Sequence, residues 1–177
     1  MMTLAALLKK KQNAIVQRWL DAALAVYPKD ASAAFGRQKD PFANPVGHSL
    51  RVGTDGVFAS LLDGRGDEKI RESLREMVKI RAVQQFSASQ AVGFVFGLKD
   101  AVRAELGQAV QEPQISSELV ELERRIDQVA LTAFDVFVAC REQLCELRIN
   151  EVKRSVGWVL DKMSQRDSDP ELVQLEQ

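Results

Sequence analysis

Residues 116–160 read SSELVELERRIDQVALTAFDVFVACREQLCELRINEVKRSVGWVL, and this stretch decides the fold. Leu119, Leu122, Ile126, Val129, Ala133, Val136, Cys140 and Leu147 recur at alternating three- and four-residue spacing, with the polar Gln143 interrupting. That is the spacing of an amphipathic helix, coiled-coil-like over about four heptads. No proline follows until Pro170. A helix of about 45 to 50 residues at 1.5 Å each spans about 70 Å, roughly twice the diameter of a domain this size, so part of it is expected to leave the globule. Beyond Asn150 the apolar positions shift phase to Val152, Val156, Val159 and Leu160. A phase shift implies a changed neighbour, one stretch packing within the chain and the other meeting a second chain. The set expected at a partner or dimer interface is Leu119, Leu122, Ile126, Val129, Val136, Cys140, Leu147, Val152, Val156 and Val159.

Upstream of this helix the pattern is also helical. Residues 3–27 carry Leu4, Leu8, Ile15, Trp19, Ala22 and Val26 at helical spacing, and Pro28 stops them. Asp40-Pro41-Phe42-Ala43-Asn44-Pro45 is loop chemistry, with Phe42 expected to anchor the loop. Asn44 then caps a second helix that has Pro45 at its first position. Gly47, Gly53 and Gly56 lie in that helix; each costs about 1 kcal/mol relative to alanine, and close contact with another helix is the expected compensation. A turn at residues 63–67 precedes a third helix reaching about Gln84. Ser87-Ala88-Ser89-Gln90 has capping-box spacing and opens a fourth, whose Val92, Phe94, Val95, Phe96, Leu98, Ala101 and Val102 predict the central buried helix. The chain is therefore expected to be all-α, globin-like or a helical bundle. Residues 1–114 would form a four-helix sensor core, 115–164 the long helix and 165–177 a polar tail.

The composition narrows the function. With 177 residues, 46% hydrophobic and 28% charged, and a net charge of -1, the chain has the balance of a folded globular domain. It lacks the basic, aromatic-interleaved cluster that nucleic-acid binding needs. No apolar run approaches the roughly 20 residues of a spanning helix, and the lysines of the N-terminus follow its apolar residues, the reverse of a secretory signal. A cytoplasmic location is expected. Cys140 and Cys145, five apart on a helix, point to different faces and cannot bridge each other.

Nothing in the sequence forms a catalytic centre. His48 is the single histidine, so metal clusters and histidine-based dyads have almost nothing to work with, and no metal is expected. A haem or small-molecule pocket using His48, Phe94 and Phe96 is the weaker alternative; for Phe94 and Phe96 plain core packing is the simpler reading. Arg65-Gly66-Asp67 reads as a turn.

Several segments together resemble a known family: Trp19 with Tyr27-Pro28; Asp40-Pro41-Phe42-Ala43-Asn44-Pro45-Val46-Gly47; and Lys79-Ile80-Arg81-Ala82-Val83-Gln84 followed by Phe86-Ser87-Ala88-Ser89-Gln90-Ala91. They are similar to the N-terminal domain of the RsbT co-antagonist family, RsbRD type, from about residue 14 to about residue 140. The resemblance singles out Trp19, Pro41, Phe42, Asn44, Pro45, Gly47, Arg81, Phe86, Ser87 and Gln90. It implies a haem-free, globin-like sensor domain of bacterial stress signalling that dimerises and passes its state through a linker helix to a STAS domain. It supplies no catalytic residues. The residues up to Gln177 leave no room for a STAS domain, so a homodimer with a protein partner carrying the output is expected.

Overall fold

Thr3 opens the first helix by accepting the Ala6 N–H on its hydroxyl, and Glu118 accepts the Leu4 N–H at 2.8 Å. These contacts serve N–H groups that a helix start leaves without partners. The computed structural model describes residues 3–28, 32, 35, 40, 42–64 and 66–167, with side chains to residue 163. Helix α1 spans Leu4–Leu24, α2 Pro45–Asp63, α3 Asp67–Val83, α4 Ala88–Val92, α5 Gly97–Leu106 and α6 Pro113–Asp167. Turns of 3-10 helix occupy Gly93–Val95 and Gly107–Gln111. Among the described residues there is no strand, and the fold is all-α. They fall into two units, Met1–Cys140 and Arg141–Gln177.

The first unit holds the core. Helix α1 packs on α2 and on α5, and α2 packs on α3. Trp19, Ile15, Leu50, Phe58, Leu74, Met77, Leu98, Ile115 and Ile126 are all fully buried. Each such side chain stabilises the fold by about 1.5–3 kcal/mol relative to exposure. Two glycines of α2, Gly53 and Gly56, work as the sequence predicts. A Cβ on Gly53 would come within 2.5 Å of Met77, and one on Gly56 within 2.5 Å of the Ser73 Oγ, so both permit the close approach of α3.

Three expectations need correction. The fourth helix is not continuous: α4 ends after Val92, a 3-10 turn intervenes, and α5 restarts at Gly97. There the Trp19 indole N–H donates to the Phe94 carbonyl at 2.7 Å, giving the tightened turn a partner from outside its own ladder. Phe42 anchors nothing, being 95% exposed. The long helix starts at Pro113 rather than at residue 115, with the proline in a first position where its missing N–H costs no hydrogen bond. The helix it opens has 55 residues. Pro41 and most of the tail from 165 lie outside the described residues.

Candidate functional site

The signature segments around Trp19 and Tyr27, Arg81, and Phe86 to Gln90 meet around Arg81. This arginine is 0% exposed, on the inner face of α3. One of its terminal nitrogens donates to the Ala23 carbonyl at 2.9 Å and the other to the Gln90 carbonyl at 3.2 Å. Its guanidinium lies 4.3 Å from the centre of the Phe94 ring and 5.8 Å from that of Phe86. Trp19 stacks on Phe94 at 6.0 Å between ring centres, and Tyr27 meets Phe86 at 5.5 Å.

No carboxylate serves Arg81 among the described residues; its Nε is buried without a hydrogen-bond partner there. The negative ends of peptide dipoles and the faces of aromatic rings supply the counter-charge instead. Ala23 lies in the last turn of α1, which carries no basic residue of its own, so Arg81 supplies from α3 the cation that this helix end favours. Burial pulls the Arg81 pKa down, and Tyr27 partly offsets it. The Tyr27 hydroxyl donates to Gln84 Oε1 at 2.9 Å; burial raises its pKa against the opposing pull of Arg81.

Two further signature segments build local caps. Ser87 and Gln90 form the full capping box of α4, as their spacing predicts. Asn44 Oδ1 accepts the Gly47 N–H at 2.8 Å, while its Nδ2 donates to the Phe35 carbonyl at 2.7 Å. A side chain on Gly47 would collide with both Asn44 and that carbonyl, so glycine is required. Pro45 takes the first position of α2.

Helix α6 divides the expected interface set. Leu119, Leu122, Ile126, Val129 and Val136 are buried within the first unit, at 0 to 7% exposure. They are covered by the chain's own helices, which corrects their placement at an intermolecular seam: the first part of the stripe belongs to the core. Cys140 is half-buried, and burial raises its thiol pKa. Leu147, Val152, Val156 and Val159 are 47 to 66% exposed.

To Val152, Val156 and Val159, which the sequence already places at the interface, the structure adds neighbours on the same face. Cys145, Ile149, Val152, Val156, Val159 and Met163 follow one another at four- and three-residue steps, and all are exposed. At about 100° per residue they fall within one arc of about 80°. In the first unit Val120, Leu131, Phe134 and Val138 are exposed on α6 as well, at 37 to 60%. The sequence marks this stripe only through Val152, Val156 and Val159, because in the rest of the helix the buried stripe carries the stronger periodic signal.

His48, Phe94 and Phe96 are not drawn together. His48 is exposed on α2, beside a groove of about 370 Å³ that has Glu72 and Glu76 on its far wall and contains neither phenylalanine. Phe94 is core, and Phe96 is 47% exposed beside Lys99. Among the described residues no group of three metal-ligating side chains is present, and no helix is long and apolar enough to cross a membrane.

In comparison with known families, residues 13–152 match the RsbT co-antagonist protein rsbRD N-terminal domain. The chain belongs to that family, whose name marks it as regulatory. No curated protein and no solved structure matches it.

Proposed function

We propose that the chain is a regulatory module of bacterial stress signalling that pairs with a second copy of itself through the exposed stripe of α6 and acts on a protein partner without catalysing a reaction. Membership of the family supports the regulatory part. The pairing rests on one observation: Ile149, Val152, Val156, Val159 and Met163 form an apolar strip, 47 to 61% exposed, on the helix segment of the second unit. A lone helical segment is marginal in water, and an apolar strip at heptad spacing gains stability by burying itself against another helix. The output partner would then read the state of the paired helices, a two-state arrangement biased by differential affinity.

Amide hydrogen exchange over residues 145–163 tests the pairing. Protection that rises with protein concentration is expected. Exchange at the rate of an unprotected chain, at concentrations where the first unit is fully protected, would count against it.

A further inference from the structure

The charged residues of α6 between 121 and 135 are nearly all matched. Glu121 pairs with Arg124 at 3.3 Å, Glu123 with Arg103 at 2.6 Å, Asp127 with Lys99 at 2.6 Å and Asp135 with Arg71 at 4.0 Å. Arg125 is the exception: half-buried, it makes no ion pair or hydrogen bond among the described residues. It lines a cleft of about 200 Å³ between α6 and the start of α3, and Asp67 lines the same cleft, also without a salt bridge among the described residues. Two opposite charges thus share one concavity without closing on each other. Gln128 also lines the cleft and offers an amide, and the Thr132 hydroxyl, which donates to the Gln128 carbonyl at 3.0 Å, keeps its lone pairs free to accept. The apolar lining comes from Leu61, Ile70 and Val129, each at most 6% exposed.

We propose that this cleft binds a small zwitterion, an α-amino acid with an aliphatic side chain, its carboxylate on Arg125, its ammonium on Asp67 and its side chain against Leu61, Ile70 and Val129. A simple anion meets Asp67 and a simple cation meets Arg125, so only a ligand bearing both charges satisfies the site. The guanidinium presents the planar fork that suits a carboxylate, and the apolar residues give a hydrocarbon side chain a surface to bury. Because Arg125, Gln128, Val129 and Thr132 all belong to α6, the bound amino acid would contact the helix that carries the proposed seam. That consequence rests on the proposed function; the binding itself does not.

The test is calorimetric titration of the full chain with leucine, with leucinamide, which lacks the carboxylate, and with 4-methylpentanoate, which lacks the ammonium. Leucine is expected to bind, and each half-ligand to bind roughly tenfold or more weakly. Arg125→Gln should abolish the preference for leucine over leucinamide, and Asp67→Asn the preference over 4-methylpentanoate. Both positions are surface-accessible, and thermal melts verify that the variants remain folded. The proposal is overturned if leucine and the other aliphatic α-amino acids fail to bind at millimolar concentration. Leucine binding that both substitutions leave unchanged overturns it equally. Neither result depends on whether the chain self-associates, which sedimentation reads separately.

Discussion

Arg81 of α3 donates to the Ala23 carbonyl in the last turn of α1 at 2.9 Å, tying together two helices that meet across 58 residues of sequence. The same guanidinium reaches the Gln90 carbonyl in α4. One buried cation therefore fixes three elements, and its satisfaction depends on a planar group with several donors. Arg81→Lys keeps the charge but gives up the fork and the stacking on Phe94. We expect it to lower stability by about 2 kcal/mol, since a hydrogen bond to a charged group contributes about 1.5–3 kcal/mol. Urea denaturation measures this; a loss below about 0.5 kcal/mol, the range of ordinary surface substitutions, would show that the clamp is not structural.

The chain has a single tyrosine, so the alkaline absorbance change of tyrosinate reports on Tyr27 alone. Burial holds the Tyr27 phenol above its ordinary pKa. The folded state thus binds that proton more tightly than the unfolded state. The contribution to stability is complete below the ordinary value of about 10 and is lost as pH rises through the higher folded-state value. Titration of the native protein should show tyrosinate appearing later than in the urea-unfolded chain, with stability falling over the same alkaline interval. Coincident titrations would contradict the placement of Tyr27.

Helix α3 ends with Gln85 at φ 62°, in the left-handed region. The Phe86 N–H bonds back to the Arg81 carbonyl at 3.2 Å and the Gln85 N–H to Ala82 at 3.4 Å, the Schellman pattern that usually places glycine there. Gln85→Gly removes the Cβ penalty and should stabilise the protein by about 1 kcal/mol. A thermal melt checks it: a lower melting temperature would mean that the glutamine side chain contributes something its backbone strain conceals.

The sequence made the helices legible because caps and stripes are local. Asn44 with Pro45, and Ser87 with Gln90, mark helix starts through contacts within three residues. The break after Val92 was hidden because it depends on Trp19, 75 residues away, which no local pattern reports. The signature residues could be recognised in the sequence, yet the centre that several of them share could not: Arg81 reads as an ordinary helical cation until Ala23, Gln90, Phe86 and Phe94 surround it. On α6 the spacing announced a seam but not which neighbour each part of it meets. Ile126 and Val152 occupy similar patterns, and only packing separates a fully buried residue from one that is 61% exposed.

That separation makes the central claim testable in one comparison. Sedimentation equilibrium of the 19.7 kDa chain is measured beside a variant carrying Val152→Glu and Val156→Glu. The account predicts that the wild-type mass is twice that of a single chain at micromolar concentration. The variant should sediment as a single chain while its first unit melts unchanged, because both substitutions lie outside the core. A wild-type chain that sediments as a monomer, or a folded variant whose mass does not fall, would contradict the proposal that the exposed stripe of α6 pairs two copies.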